Sequence, residues 1–123
     1  RRARGITIYA ALRTLGRNGV AEMIERCCDL TRDFVLKLAE LPDVEVLTTP
    51  VINQGLLRFL DPGGDHDGRT DEVIKRINAT GEAWFGPTIW NGMRVMRISL
   101  SNFRTTQDDI ERAYAAIKAA MDE

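Results

Sequence analysis

The dipeptide Asn91-Gly92 constrains this chain more than any other feature. Two residues that both accept positive φ make the tight turn of an antiparallel hairpin. They join a strand over residues 83–89 to one over 93–100, and the second is the centre of the stretch 84–109 around which the chain is organised. A strand sends alternate side chains to opposite faces. Met96, Ile98 and Leu100 then face a core, while Val95, Arg97 and Ser99 face the other way. An Arg beside a Ser in mid-strand suits a face that looks onto a ligand or another domain. Pro87 makes the first strand an edge or bulged strand.

The flanking segments supply what this hairpin packs on. Residues 5–15 carry Ile8, Tyr9, Leu12 and Leu15 at helical spacing. Gly16 ends that helix, and Arg17-Asn18-Gly19 makes a turn. A long helix follows over 20–41, with Val20, Met23, Ile24, Cys27, Thr31, Phe34, Val35 and Leu38 on one stripe. Its other face pairs Glu22 with Arg26 and Asp33 with Lys37 at a spacing of four, the pattern of a solvated surface. Pro42 stops it. Short strands follow at 44–47 and 53–60, with Gly55 marking a bulge or a close backbone approach. Residues 61–68 form a Gly- and Asp-rich loop holding the only histidine, His66, as a solvated side chain. Thr70 caps a third helix that Gly81 closes, and Thr105 or Thr106 with Asp108 or Asp109 caps the last. The order is α-α-β-β-α-β-β-α. It describes an α+β domain with a small, mostly antiparallel sheet and helices on one face.

Composition narrows the function classes. The 123 residues make one domain (1–123), in which 1–18 are a helix and turn, a linker by the resemblance given below, and 19–123 the α+β body. A formal net charge of −1 gives no basic excess for nucleic acid, and no apolar run is long enough to span a membrane. Cys27 and Cys28 are helix neighbours that point apart, so they pack as free thiols, as in a reducing cytoplasm. No zinc set accompanies them, and Asp61, Asp65, His66 and Asp67 match no calcium loop, so no metal is expected. No charged and apolar leader precedes the fold, and the opening Arg1-Arg2-Ala3-Arg4 suggests a piece of a longer protein.

No nucleophile–base arrangement, Gly-rich phosphate loop or pair of carboxylates in an apolar run is evident. Arg97 is the side chain that looks placed. A planar guanidinium suits bidentate capture of a carboxylate; the alternative is a structural pairing with a local acid or carbonyl.

The chain also resembles the C-terminal domain of the pyridoxal-phosphate-dependent group II decarboxylases. The likeness is carried by Arg1-Arg2 and the helix ending Leu12-Arg13-x-Leu15-Gly16-x-x-Gly19, by Ile24-Glu25-Arg26 through Phe34, and by Met96-Arg97-Ile98-Ser99 followed by Asn102, Thr105-Thr106 and Asp108-Asp109. The resemblance implies a cytoplasmic, homodimeric fold-type-I enzyme acting on an amino acid. A large domain would hold the pyridoxal 5'-phosphate on a lysine, and this small domain would cover the site. Lys37, Lys75 and Lys118 lie on surface helices, so the chain alone is expected to be inactive and to bind no cofactor. The resemblance makes Arg97, with Ser99 beside it, a substrate-binding candidate and places Phe85-Gly86-Pro87-Thr88 near the substrate entrance. The alternatives are the small domain of a fold-type-I aminotransferase, or a free-standing module that dimerises or binds a ligand without catalysis.

Overall fold

A computed structural model describes residues 3–122. Three helices and four strands follow one another as α1 (Arg4–Ala39), β1 (Val44–Thr48), β2 (Gln54–Phe59), α2 (His66–Thr80), β3 (Gly86–Trp90), β4 (Met93–Ser99) and α3 (Gln107–Asp122). The sheet is antiparallel throughout, in the order β1-β2-β4-β3. The hairpin turn forms as expected, with Asn91 at φ 49° and Gly92 at φ 78°. β4 is thereby a central strand, and Pro87 sits on the edge strand, where its missing N–H costs no ladder bond. The α+β class and element order agree with the sequence pattern.

The two expected N-terminal helices are one helix with a kink. Gly16 alone leaves helical geometry, at φ 64° and ψ −176°, a region open essentially only to glycine. One residue redirects the axis, so Arg17-Asn18-Gly19 already belongs to the next helical turn and no longer turn is needed. A Cβ on Gly19 would meet Leu15 Cβ at 3.2 Å, so the chain re-enters the helix tightly. Arg1 and Arg2, counted with the linker helix above, lie outside the described residues.

Buried side chains from all three helices meet one face of the sheet. Phe34, Val35 and Leu38 of α1, Val73, Ile74 and Ile77 of α2 and Ile110 and Ile117 of α3 close over Leu57, Phe59, Met96 and Ile98. Gly55 is a close approach: a Cβ there would lie 2.6 Å from Val35 Cγ2. The bulge falls instead on β1, between Val46 and Thr48.

Two further expectations need correction. α2 begins at His66 rather than at Thr70. Asp65 is its cap, accepting from Gly68 N–H at 3.0 Å, so the end of the Gly/Asp loop is the first helical turn. Thr70 is buried inside that helix, where its hydroxyl accepts from Phe59 N–H at 3.0 Å and ties α2 to β2. His66 is half-buried, with Nδ1 accepting from Asp61 N–H at 2.9 Å. The charges on α1 do not form their i,i+4 pairs. Arg26 donates to Phe103 O at 2.6 Å, and Lys37 reaches Glu111 and lies over the Tyr114 ring. Long-range partners replaced local ones because α3 and the loop after β4 come to rest against α1. Gly81, with φ 74°, closes α2, and Thr106 with Asp109 caps α3, both as expected.

Candidate functional site

The second face of the sheet is largely uncovered. On it a groove of about 410 Å³ is lined by Gln54, Gly55 and Leu56 of β2, Thr88 and Trp90 of β3 and Arg97 of β4, with Val51 and Ile52 at its rim. The strand register builds it. Arg97 stands opposite Leu56 on one side and Gly86 on the other. Glycine at 86 removes the side chain that a neighbouring strand would project beside the guanidinium. Arg97 is exposed and has no hydrogen bond or ion pair among the described residues. The other two sheet arginines are engaged. Arg58 Nε lies 2.5 Å from Glu45, and Arg94 Nε 2.6 Å from Asp71, whose hydrogen bond raises the Arg94 pKa above its ordinary value. The structural alternative for Arg97, a local acid, is therefore not what these contacts show.

The other sequence candidates separate. Ser99 is exposed on the same face, with Gln54 Nε2 at 3.4 Å from its hydroxyl. Gly86 and Thr88 lie beside Arg97, and Pro87 is exposed on the edge strand. Phe85 does not join them. Its side chain is in the core with its ring centroid 6.4 Å from that of Phe34, and its backbone is clasped on both sides by the Asn78 amide. Val95 stands on the Arg97 face, as alternation expects, and is fully buried there, on a central strand beside Thr88. The pattern missed the apolar rim: Val51, Ile52, Ile89 and Trp90 are all substantially exposed. Residues 51–52 precede the strand and carry no periodic signal. Among the described residues no three His, Cys, Asp or Glu gather as metal ligands, and both cysteines are free.

The first part of α1 is also bare. Ile8, Tyr9, Leu12 and Leu15 share a face, as the spacing predicts, and all four are exposed. No described helix is long and apolar enough to cross a membrane.

No family model matches the chain. It is 26% identical over 121 residues to tyrosine decarboxylase 2 of Arabidopsis thaliana, covering 96% of this chain and 22% of that protein. It is 27% identical over 125 residues to the aromatic-L-amino-acid decarboxylase of Drosophila lebanonensis, covering 100% of this chain and 30% of that protein. Its fold superimposes on the Oryza sativa TDC solved with PLP and tryptamine with a TM-score of 0.87 at 22% identity, over 99% of this chain and 27% of that one. The chain is thus similar to amino-acid decarboxylases, one of them solved with PLP. It spans less than a third of the curated relatives it matches. These decarboxylase relatives provide a fit test for the cofactor. The groove offers one cation, Arg97, and no lysine. Lys37 is engaged with Glu111, and Lys75 and Lys118 are exposed on α2 and α3. Pyridoxal phosphate held on a lysine has no anchor among these groove residues.

Proposed function

We infer that this chain is the small C-terminal domain of a pyridoxal-phosphate-dependent amino-acid decarboxylase, which covers an active site formed mainly by a large domain. The observation that carries this reading is the match itself: essentially all of this chain aligns with under a third of decarboxylase relatives. Two exposed surfaces support it. The apolar face of Ile8, Tyr9, Leu12 and Leu15 and the groove around Arg97 are uncovered here, and a large domain would cover them. The whole enzyme is a cytoplasmic homodimer with an amino-acid substrate, and its cofactor, held by the large domain, supplies the electron sink. In the domain division proposed with it, 1–18 are the link to the large domain and 19–123 the cover.

The role of Arg97 follows from the chemistry. Decarboxylation turns the α-carboxylate into neutral CO2. A guanidinium clamped on that group stabilises the ground state more than the transition state. Arg97 accordingly holds a second, distal carboxylate or shapes the pocket wall, with Ser99, Gly86, Pro87 and Thr88 around it. Phe85 serves from the core by fixing the backbone at the start of that strand. The test is the coding sequence upstream of Arg1. An open frame encoding a strand-rich domain with a His-Lys pair shortly before this segment is expected. A start codon immediately upstream leaves no lysine for the cofactor and overturns the reading in favour of a free-standing module.

A further inference from the structure

One aromatic side chain next to Arg97 has no role in the site described so far. Trp84 is 75% exposed, one of the largest apolar surfaces the chain leaves uncovered. It lies two residues before Gly86, just ahead of β3. The vacancy at Gly86 brings Trp84 and Arg97 together. A Cβ on Gly86 would lie 3.5 Å from Trp84 Cη2 and 3.6 Å from its Cζ3, and 3.9 Å from Arg97 Nη2. The indole edge and the guanidinium thus converge on the same bare patch of β3. Trp84 also lines a cleft of about 180 Å³ whose other walls include Ser99 of β4 and Asp109 and Ile110 of α3, so it stands where the Gly86 patch gives way to the helices.

We propose that Trp84 is a positioning residue for Arg97: its indole walls off the Trp84 side of the guanidinium and so directs it into the groove. A long, unpaired arginine samples many rotamers, and each must be excluded before it presents its donors in one direction. A rigid aromatic wall does this with little entropy loss of its own. Gly86 is what admits both groups. The proposal rests on the reading of Arg97 as a substrate-binding group, and its first test does not.

That test is the Arg97 side-chain NMR signal in this chain. Ring currents from Trp84 shift the Arg97 Nε–Hε and Cδ protons away from those of free arginine. Trp84→Ala returns them to the free position, and Trp84→Phe retains part of the shift. Trp84 is exposed, so neither variant removes core packing. Unshifted Arg97 signals in the unsubstituted chain overturn the proposal. The second test uses the full-length enzyme. Trp84→Ala raises KM for the amino acid roughly two- to fivefold, the scale of an exposed arginine–aromatic interaction, with kcat little changed and with Trp84→Phe restoring it. If Arg97→Ala impairs the enzyme and Trp84→Ala does not, the positioning role fails and the reading of Arg97 stands. If neither variant changes the kinetics, the substrate role of Arg97 and the positioning role fail together.

Discussion

Arg94 and Arg97 are the same residue type on the same strand, three positions apart, and they are used in opposite ways. Arg94 points to the helix-covered face, where Asp71 of α2 meets it at 2.6 Å. Arg97 points to the other face and meets no acid among the described residues. Among the described residues no buried side-chain polar atom lacks a partner. The open face combines an unpaired cation with an apolar rim. The packed core lies on one side of this sheet, and the open groove on the other.

That contrast can be broken by experiment. The largest effect is expected from Phe34→Ala on the covered face. A fully buried ring that packs on Phe85 is removed, for a loss of about 3–5 kcal/mol in chemical denaturation. Leu56→Ala, across the sheet on the groove side, should cost clearly less; equal losses would mean that the two faces contribute alike. Next is Gly55→Ala. The added Cβ has to displace Val35 from 2.6 Å, so about 1–3 kcal/mol is expected, and an unchanged denaturation midpoint would show that α1 shifts freely over β2.

A smaller effect is expected with acid. Two hydrogen bonds from Thr106 and the Arg112 guanidinium hold the Asp109 carboxyl below its ordinary range, and Lys37 with Gln107 does the same for Glu111. Both folded-state values are depressed. Their stabilisation is therefore present above the unfolded-state values, at about pH 4, and is lost as pH falls through the folded ones. Asp109→Asn should flatten the acid limb of a midpoint-against-pH curve. An identical limb in the variant would remove Asp109 from the acid sensitivity. The smallest effect is Arg97→Ala, which should leave folding stability within about 0.5 kcal/mol, whereas Arg94→Ala lowers it. A destabilised Arg97→Ala chain would show that Arg97 has a structural partner after all.

Much of the architecture was legible because local rules decide it. Asn91-Gly92 dictated the hairpin, Gly81 the end of α2, Pro42 the stop after α1, and Thr106 with Asp109 the start of α3. Each works through φ preferences or bonds to atoms a few residues away. Legibility failed where a neighbour from elsewhere settled the matter. The start of α2 moved to His66 because Asp65 serves as cap while the buried Thr70 hydroxyl bonds to β2. Arg26 and Lys37 found partners 77 and 74 residues away rather than on their own helix. Of the site, alternation placed Arg97, Ser99 and Val95 on one face, but it could not tell that neighbouring strands bury Val95 there, and the label of a substrate loop hid that Phe85 faces the core.

By itself the sequence determined the elements, their order and the face on which Arg97 stands, because helix and strand periods, capping and turn geometry act over a few residues. Only the tertiary structure decided that, among the described residues, Arg94 is paired and Arg97 is not, that residues 51–52 line the groove, and that Trp84 and Arg97 both approach Gly86. Those facts depend on strand register and on which side chains distant segments bring within a few ångströms, and neither has a period along the chain.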